Sequence, residues 1–407
     1  MKKIIVFSTL AGSLLLGGAY KLPEQSLNSM ALGAAYVAHT TEADTAYFNP
    51  ANMAFMGDKR YIDGAVTLIR LPSNVYTLID PYSGESKTEN IVAPAMHYVA
   101  APIGDFRWGV SIVVPGGLTK KWDSAYQKLY AEEFTLKNVE VNPVVSYKIN
   151  EKFAVGGGVR FVYSEGVVKS DSRGTTPYPI AREMEGDTIE FGYNLAVTYR
   201  PTDDISMAVT YRSNIDLNEE GEANLYFGSV GEQYDAEVSV PLPAALNIAV
   251  SKTWNNKFTL EFVYERTYWS AYKSLDFNYD QDILNPVLEE AFNTPIPKNW
   301  KDTNTFRVGA TIEMDKITMM MGFAIDETPV PEETLGFELP DSDAKVFSMG
   351  FRYQQTESLS WGAAFLYDSK ESRSITPGVN FNEVLANGGS FHEGGAYLTT
   401  IGVSYEY

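Results

Sequence analysis

Strict alternation of apolar and polar residues recurs along most of the chain. In residues 153–164, FAVGGGVRFVYS, aromatic and β-branched side chains share one face. Alanine, glycine, Arg160 and Ser164 share the other, and Val162 is the one apolar exception there. The segments ISMAVTYR, FTLEFVYE, KVFSMGFRY and AYLTTIGVSYEY repeat the pattern. A period of two predicts β-strands with one apolar and one polar face.

Short and long connections alternate between these predicted strands. The short ones are rich in Asn, Asp, Gly and Pro, and they are PIGD (102–105), NEK (150–152), PTDD (201–204), WNNK (254–257), MDK (314–316) and QQTE (354–357). This alternation is typical of a transmembrane β-barrel, which has tight turns on one rim and long loops on the other. The connections predict an all-β, antiparallel barrel of about 14 strands over residues 58–407. A soluble protein of two packed sheets is the alternative, but it gives no reason for the loop lengths to alternate.

Two segments at the beginning of the chain do not alternate. Residues 1–19 carry Lys2 and Lys3, then an apolar run and small residues, which predicts a signal peptide cut near Ala19. Residues 20–57 are rich in alanine and small polar residues, and we expect them to fold into the barrel lumen as a plug, or hatch. A disordered tail is the alternative for that segment. After the signal peptide, no apolar run approaches the roughly 18 residues of a transmembrane helix.

Composition and charge exclude several functions. The formal net charge of -20 argues against nucleic acid as a partner, because phosphates require a basic surface. The chain has no cysteine, which excludes a disulfide framework and a thiolate metal site. His39, His97 and His392 are far apart, and no nucleophile motif is present, so we predict no catalytic residues, no metal and no cofactor. An outer-membrane lipid hydrolase is the weakest alternative.

The segment LGAAYVAHTTEADTAYFNPANMA, residues 32–54, resembles the N-terminal hatch of the FadL/TodX family of outer-membrane transporters for hydrophobic compounds. Residues 94–118, PAMHYVAAPIGDFRWGVSIVVPGGL, are similar to that family's second and third strands, and VTYRS and DETPVP are similar to later segments. The resemblance covers essentially the whole mature chain in the family's order. It implies a 14-stranded barrel closed by a hatch, with a kink in the third strand that opens the wall for sideways release into the membrane.

The resemblance also implies two sites at the exit. Asn49, Pro50 and Ala51 form the hatch motif, and by local chemistry Asn before Pro predicts a capped turn. Pro115, Gly116 and Gly117 fall at the kink, where proline lacks a donor and glycine weakens a strand. We expect the turn to pack beside the kink. The alternatives are that the turn only ends the hatch and that residues 115–117 only begin an outer loop.

Ligand-binding residues are expected near the long loops. In NPVLEEAF, Asn285 can cap a helix begun by Pro286, which places Val287, Leu288 and Phe292 on one apolar face for capture of a substrate. Packing on neighbouring loops is the alternative. The cations Arg160, Lys169 and Lys298 are candidates for a substrate carboxylate, and for Arg160 pairing with acids of the barrel is the alternative.

The function implied is passive uptake of long-chain fatty acids, or of aromatic or aliphatic hydrocarbons, across the outer membrane of a Gram-negative cell. The partners expected are the ligand, outer-membrane lipid and lipopolysaccharide, and the chain is expected to be a monomer. The alternative is a general hydrophilic porin or a structural surface barrel. The sequence leaves the choice between fatty acid and hydrocarbon open.

Overall fold

The computed structural model describes residues 18–407, so the predicted signal peptide lies almost wholly outside the described residues. These residues form a closed antiparallel barrel of fourteen strands, three of which are interrupted. The strands are β1 Tyr61–Leu71, β2 Glu89–Val99, β3 Phe106–Val113 with Gly117–Lys121, β4 Glu133–Asn150, β5 Phe153–Asp171, β6 Ile180–Thr202, β7 Ile205–Arg212 with Ile215–Phe227, β8 Val230–Leu242 with Ala245–Trp254, β9 Phe258–Thr267, β10 Thr303–Glu313, β11 Ile317–Asp326, β12 Ala344–Gln354, β13 Leu359–Lys370 and β14 Ala396–Glu406.

Strands that follow one another in the chain are paired, and β14 closes the barrel on β1. Tyr61 lies opposite Glu406, and the register continues to Arg70 opposite Tyr397. The predicted all-β class and strand number are therefore confirmed. All six predicted short turns lie at the same rim, because each joins an even-numbered strand to the next odd-numbered strand of the antiparallel order.

The strands bury their polar face and expose their apolar face. On β5, Val159 is 47% exposed and Phe161 is 40% exposed, whereas Arg160 between them is 2% exposed. On β6, Phe191 and Leu195 are exposed and Asn194 is buried. This is the reverse of a soluble protein, and it is the arrangement that a barrel requires when hydrocarbon surrounds it.

The remaining elements are short. None of the helices within residues 18–407 is long and apolar enough to cross a membrane. The helices are α1 Leu27–Ala31, α2 Thr45–Phe48, α3 Lys128–Ala131 and α4 Pro286–Phe292, with 3-10 turns at Pro50–Phe55, Trp269–Ala271, Glu332–Thr334 and Leu385–Asn387. In the long connections, Asn74–Thr77, Gly84–Glu85, Arg373–Ser374 and Ser390–Glu393 form a small sheet, Ser274–Leu275 pairs with Ile296–Pro297, and Phe277–Tyr279 extends the barrel sheet beside β8.

Most of the N-terminal segment, residues 20–57, is buried although it contains only short helices. α1 begins with a reciprocal cap, in which the Ser26 hydroxyl accepts from Ser29 N (3.2 Å) and the Ser29 hydroxyl accepts from Ser26 N (3.0 Å). It packs against β12 and β13. Helices this short are not stable alone, so packing against the strands must hold the segment.

Two wall glycines allow the N-terminal segment to approach closely. A Cβ added at Gly322 of β11 would lie 2.1 Å from the carbonyl carbon of Leu32. A Cβ added at Gly156 of β5 would lie 2.6 Å from Ala51 N. Any larger residue at either position would collide with backbone, so the segment and these two strands are matched in shape.

Candidate functional site

The Asn49-Pro50-Ala51 turn lies against β5 and β6. The Asn49 side-chain oxygen accepts from Ala51 N (3.2 Å), while the amide nitrogen donates to Val37 O (2.8 Å) and to the Thr198 hydroxyl (2.9 Å). Pro50 is the first residue of a 3-10 turn, where its missing donor costs nothing. The prediction of an Asn-capped turn begun by proline is confirmed.

Residues 115–117 contact a different part of the N-terminal segment. Leu22 N donates to Pro115 O (2.9 Å), and Gly117 N donates to Tyr20 O (2.8 Å), so the two stretches pair as antiparallel backbone. The expectation that the Asn49 turn lies beside residues 115–117 is therefore wrong. The turn follows α2 and is placed by Gly156, and nothing in the sequence spacing revealed that tertiary position.

The third strand is interrupted at residues 114–116, one residue earlier than predicted. β3 stops at Val113, and Gly117 is already paired with Lys137 of β4. Within the interruption, Gly116 N donates to the side-chain oxygen of Asn138 (3.1 Å), and Val114 is bonded to the side chain of Gln25. Side chains and the N-terminal segment thus replace the missing ladder partners.

β2 and β3 are paired over only part of their length. Residues 96–99 of β2 face the first part of β3, but in the described structure residues 89–95 are paired with β1 alone. The segment before β2 and the end of β3 meet again where Lys87 N donates to Lys121 O (2.8 Å). We call the unpaired stretch, residues 89–95 and 114–120, the β2–β3 seam.

A wall carboxylate holds one turn of the N-terminal segment. Glu261 of β9 accepts hydrogen bonds from the backbone N of Val37 (2.6 Å), Ala38 (2.6 Å) and His39 (3.0 Å). Three consecutive backbone N–H groups that converge on one anion form a nest, a favourable arrangement for a carboxylate. A single side chain therefore satisfies three buried donors of the segment.

Buried charges attach the same segment at two further points. Lys21 lies 2.7 Å from Glu265 of β9, which also pairs with Arg307 of β10 (3.3 Å). Arg352 of β12 donates to the side-chain oxygen of Asn28 in α1 (3.1 Å). Removal of one partner from such a pair leaves an uncompensated buried charge, so displacing the segment from these contacts costs free energy.

Burial shifts the pKa values of two side chains in the N-terminal segment. Burial raises the pKa of Glu24 to about 7, and the positive charge of Arg307 opposes that shift. Burial lowers the pKa of His39 to about 4, and the charge of Arg200 acts in the same direction. At neutral pH His39 is therefore uncharged, and Glu24 keeps its proton to a higher pH than a solvent-exposed carboxyl group does.

Arg160 faces the interior and is fully engaged with the wall. Its Nε and Nη2 donate to Glu140 of β4 at 3.0 and 2.9 Å, and its Nη1 donates to Ser213 O at 2.7 Å. Arg212 of β7 also donates to Glu140, so one buried carboxylate is shared by two guanidinium groups. All three nitrogen atoms of the Arg160 guanidinium are thus hydrogen-bonded to residues of the barrel wall.

The structure does not bring Arg160, Lys169 and Lys298 together. Lys169 is nine positions beyond Arg160 on β5, which is about 30 Å at the rise of a strand. Its side chain is 30% exposed and lies 3.6 Å from Glu185. Lys298 is buried and paired with Glu338. Of these three cations, Lys169 is the most exposed and the least closely paired.

The helix predicted in NPVLEEAF is present as α4. Asn285 accepts from Val287 N (3.0 Å), so the predicted cap is confirmed. Leu288 and Phe292 are buried, whereas Val287 is only half-buried. The apolar face is covered by its neighbours, which are Leu225, Tyr234 and Ile283.

Several contact residues were missed in the sequence. Gln25 and Glu261 make the contacts described above, and the guanidinium of Arg182 lies 3.8 Å from the ring of Phe277 and 5.2 Å from that of Phe292. Glu261 has polar-face parity in FTLEFVYE, which marked it as inward-facing. Its partner could not be found in this way, because parity identifies a face and not a contact.

Within the described residues, His97 and the acidic side chains do not form a metal site. His97 is bonded to the Ser111 hydroxyl (3.0 Å) and to Gln25 O (2.9 Å), which is a structural position. Over residues 18–407 no group of His, Cys, Asp or Glu is placed to hold a metal ion.

A closed barrel with an apolar outer face, a polar inner face and an interrupted third strand defines a transmembrane β-barrel. The model of the outer membrane protein transport protein family (OMPP1/FadL/TodX) matches residues 8–407, and the chain belongs to this family. It is therefore a transport protein of the outer membrane rather than an enzyme. The resemblance drawn from the sequence is confirmed.

Known relatives align with this chain over most of their own length. The long-chain fatty acid transport protein of Escherichia coli O6:H1 is 25% identical over 364 residues, which are 78% of this chain and 79% of that protein. The crystal structure of a Pseudomonas aeruginosa FadL homologue has a TM-score of 0.79 at 20% identity, covering 95% of this chain and 99% of the other. The Ralstonia pickettii toluene transporter TbuX has a TM-score of 0.71 at 17% identity, covering 94% and 98%. Both structures support the fold.

Proposed function

We propose that this protein is a channel for passive uptake of long-chain fatty acids or other hydrophobic compounds. Residues 20–57 act as a hatch inside the barrel, and the substrate leaves sideways through the β2–β3 seam. The observation that carries this proposal is the seam itself, where ladder pairing stops and the N-terminal segment supplies the missing partners.

The substrate class is supported by the names of relatives and by partition energetics. One relative is called a long-chain fatty acid transport protein, and a protein of the same fold is called a toluene transporter. Hydrocarbon gains about 0.8 kcal/mol per CH₂ on leaving water. Release from the wall into the bilayer is therefore favoured over release into water, and no energy source is required.

The hatch role is supported by the contacts of the N-terminal segment. Its charged and polar anchors join β9, β10 and β12, while residues 20–25 join the interruption of β3. The Asn49-Pro50-Ala51 turn fixes the other end of the segment at β5 and β6. A movement of residues 20–25 would thus change the seam without releasing the rest of the hatch.

Capture is assigned to the long-loop end of the barrel. Lys169 is partly exposed and only loosely paired with Glu185, so it can exchange that partner for a substrate carboxylate. Val287 of α4 offers a half-exposed apolar side chain, while Leu288 and Phe292 support the helix from below. Arg160 is assigned to stability of the wall and Lys298 to stability of the long connections, because each is buried with its own acid.

One residue of the seam provides the test of sideways release. Ala93 is buried and faces inward, whereas Pro94 is exposed on the lipid side. Ala93→Trp should fill the inner mouth of the seam and reduce uptake of a labelled fatty acid and of toluene into proteoliposomes at least several-fold. Val159→Trp, which adds the same ring to the lipid face of β5 outside the seam, is the control and should transport normally. Normal uptake by folded Ala93→Trp would remove the seam from the proposal.

A swelling assay separates this function from a general porin. Proteoliposomes that contain an open aqueous barrel swell when sugars enter, whereas a channel closed by a hatch should show no sugar-dependent swelling. Sugar entry without accumulation of hydrophobic probes would overturn the proposed function.

A further inference from the structure

The inner wall contains a small cavity that none of the predicted site residues lines. It has a volume of about 20 Å³ and lies among β4 to β8. No residue of the N-terminal segment lines it. The side chains that line it are mainly apolar and include Phe134, Leu136, Val168, Met184, Val238 and Leu275.

Two glycines of a row of three line the cavity, Gly166 and Gly186. Gly166 of β5 lies opposite Gly186 of β6, which lies opposite Gly221 of β7, so three neighbouring strands lack side chains at one level. A Cβ added at Gly166 would have only an ordinary contact, 3.5 Å from the Glu219 side chain. Wall packing therefore does not require glycine at position 166, and the missing side chain leaves room inside the barrel.

Glu219 brings a carboxyl group to this apolar cavity. The residue is 1% exposed, and within the described chain neither carboxyl oxygen has a donor in good hydrogen-bond geometry, although the nearby Ser164 hydroxyl acts on the carboxyl group. The hydroxyl of neighbouring Ser164 donates instead to Lys137 O (3.3 Å). A buried polar group without a partner costs free energy, so an incoming donor would recover that cost.

The charges around Glu219 are of one sign. Asp187, Glu165 and Glu190 all act on its carboxyl group electrostatically, and each is acidic. A ligand carboxylate placed here would meet further negative charge. A hydroxyl or an ammonium group would instead donate a hydrogen bond to Glu219.

We propose that this cavity binds the hydrogen-bond-donating head of an amphiphile, a hydroxyl or an ammonium group, with Glu219 as acceptor, while the rest of the alkyl chain remains outside the cavity. The inference rests on the proposed function and narrows its substrate class, since a carboxylate head is disfavoured here. A cavity needs about 10–15 Å³ to hold one water. The space therefore fits a head of one heavy atom.

Four ligands with one chain length test the head-group preference. We would titrate 1-decanol, decylamine, decanoate and decane into the purified full barrel in one detergent and measure binding by calorimetry. Decanol and decylamine should bind about tenfold more tightly than decanoate, which corresponds to one hydrogen bond gained and a contact between like charges avoided. Glu219→Gln keeps an acceptor and should reduce decylamine binding about tenfold while retaining decanol. Glu219→Leu should lose both preferences.

Two controls separate the cavity from general effects. Glu190→Gln makes the same charge change beside the cavity, but Glu190 already accepts from Asn218 (2.9 Å), so the ligand order should be unchanged. Gly166→Val fills the cavity while keeping the carboxyl group at position 219, and it should weaken binding of decanol and decylamine alike. It also tests the site if a Glu219 variant fails to fold.

The outcomes distinguish this inference from the proposed function. Equal affinities of the four ligands for the unmodified protein, or an unchanged ligand order in both Glu219 variants, would overturn the Glu219 site while uptake continued. Absence of hydrophobic uptake by the unmodified protein would overturn the proposed function itself.

Discussion

The side-chain amide of Gln25 is hydrogen-bonded to both backbone polar groups of Val114, with Nε2 2.7 Å from the carbonyl oxygen and Oε1 3.0 Å from the amide nitrogen. A primary amide presents one donor edge and one acceptor, as a neighbouring strand would. His97 of β2 contacts the backbone oxygen of Gln25 at 2.9 Å. The interruption of β3 is thus closed by a residue of the N-terminal segment.

Replacement of Gln25 by Leu should loosen this closure. Two buried backbone groups of Val114 would lose their partners, at a cost of about 1–3 kcal/mol each. Hydrogen exchange measured by mass spectrometry should therefore become faster in peptides that cover residues 110–120. Gln127→Leu, which removes a comparable amide bonded to Tyr82 O (2.7 Å) in the outer loops, is the control. Equal protection of residues 110–120 from hydrogen exchange in Gln25→Leu and in the unmodified protein would contradict the closure.

Gly322→Val should prevent docking of the N-terminal segment. Its Cβ would fall 2.1 Å from the carbonyl carbon of Leu32, a distance that backbone cannot accommodate. Limited proteolysis should then cut within residues 20–57 while the barrel keeps its heat-resistant mobility on gels. Gly166→Ala adds a Cβ with no contact shorter than 3.5 Å and should stay protected.

Glu24→Gln should make stability less sensitive to pH on the alkaline side. The folded pKa of Glu24 is raised to about 7 by burial, from a usual value of 4.5. The folded state therefore holds a proton that the unfolded state has lost, and stability falls as pH rises between these values. Near pH 8 the variant should be more stable than the unmodified protein by no more than roughly 3 kcal/mol, and it should therefore unfold at a higher temperature. Near pH 4 the two proteins should unfold at the same temperature.

His39→Asn should show the opposite dependence. The folded pKa of His39 is lowered to about 4, so the unfolded state binds the extra proton and stability is lost as pH falls below the usual value of 6.5. The variant should gain stability over the unmodified protein on the acid side only. The same melting experiment checks both residues, and parallel curves for the two variants would contradict the assigned burial.

Glu140→Ala should destabilise the barrel strongly. It would leave Arg160 and Arg212 buried without their shared carboxylate, and breaking a buried pair in this way costs about 3–5 kcal/mol. Denaturant unfolding followed by tryptophan fluorescence measures the change. Lys169→Gln breaks a more exposed pair and should cost less than about 1 kcal/mol. Similar losses of stability in Glu140→Ala and Lys169→Gln would contradict the assignment of Arg160 to a buried pair and of Lys169 to an exposed one.

The two faces of α4 should respond differently to serine. Leu288→Ser removes a buried side chain from the cluster that supports the helix, so protease cleavage near α4 should increase. Val287→Ser leaves that cluster intact and should lower only the initial rate of substrate uptake. Unchanged uptake by Val287→Ser would end the capture assignment for this helix.

The sequence by itself determined the strands, their short turns and the local caps. In residues 153–164 each side chain meets either lipid or the interior, and this environment imposes a period of two that can be read directly. The turn at 254–257 and the caps at Asn49 and Asn285 are likewise set by residues a few positions apart. Such features depend on local backbone chemistry, so they need no knowledge of distant neighbours.

Only the tertiary structure decided which distant groups meet. Gln25 and Val114 are 89 residues apart, and Val37 and Glu261 are 224 residues apart. The polar face of a strand identifies residues that point inward, but many inward donors and acceptors could satisfy one another equally well. Barrel closure fixes the heights and angles of the strands and thereby selects the partners. For this reason the Asn49 turn could be predicted from its sequence, whereas its place at Gly156, away from the β3 interruption, could not.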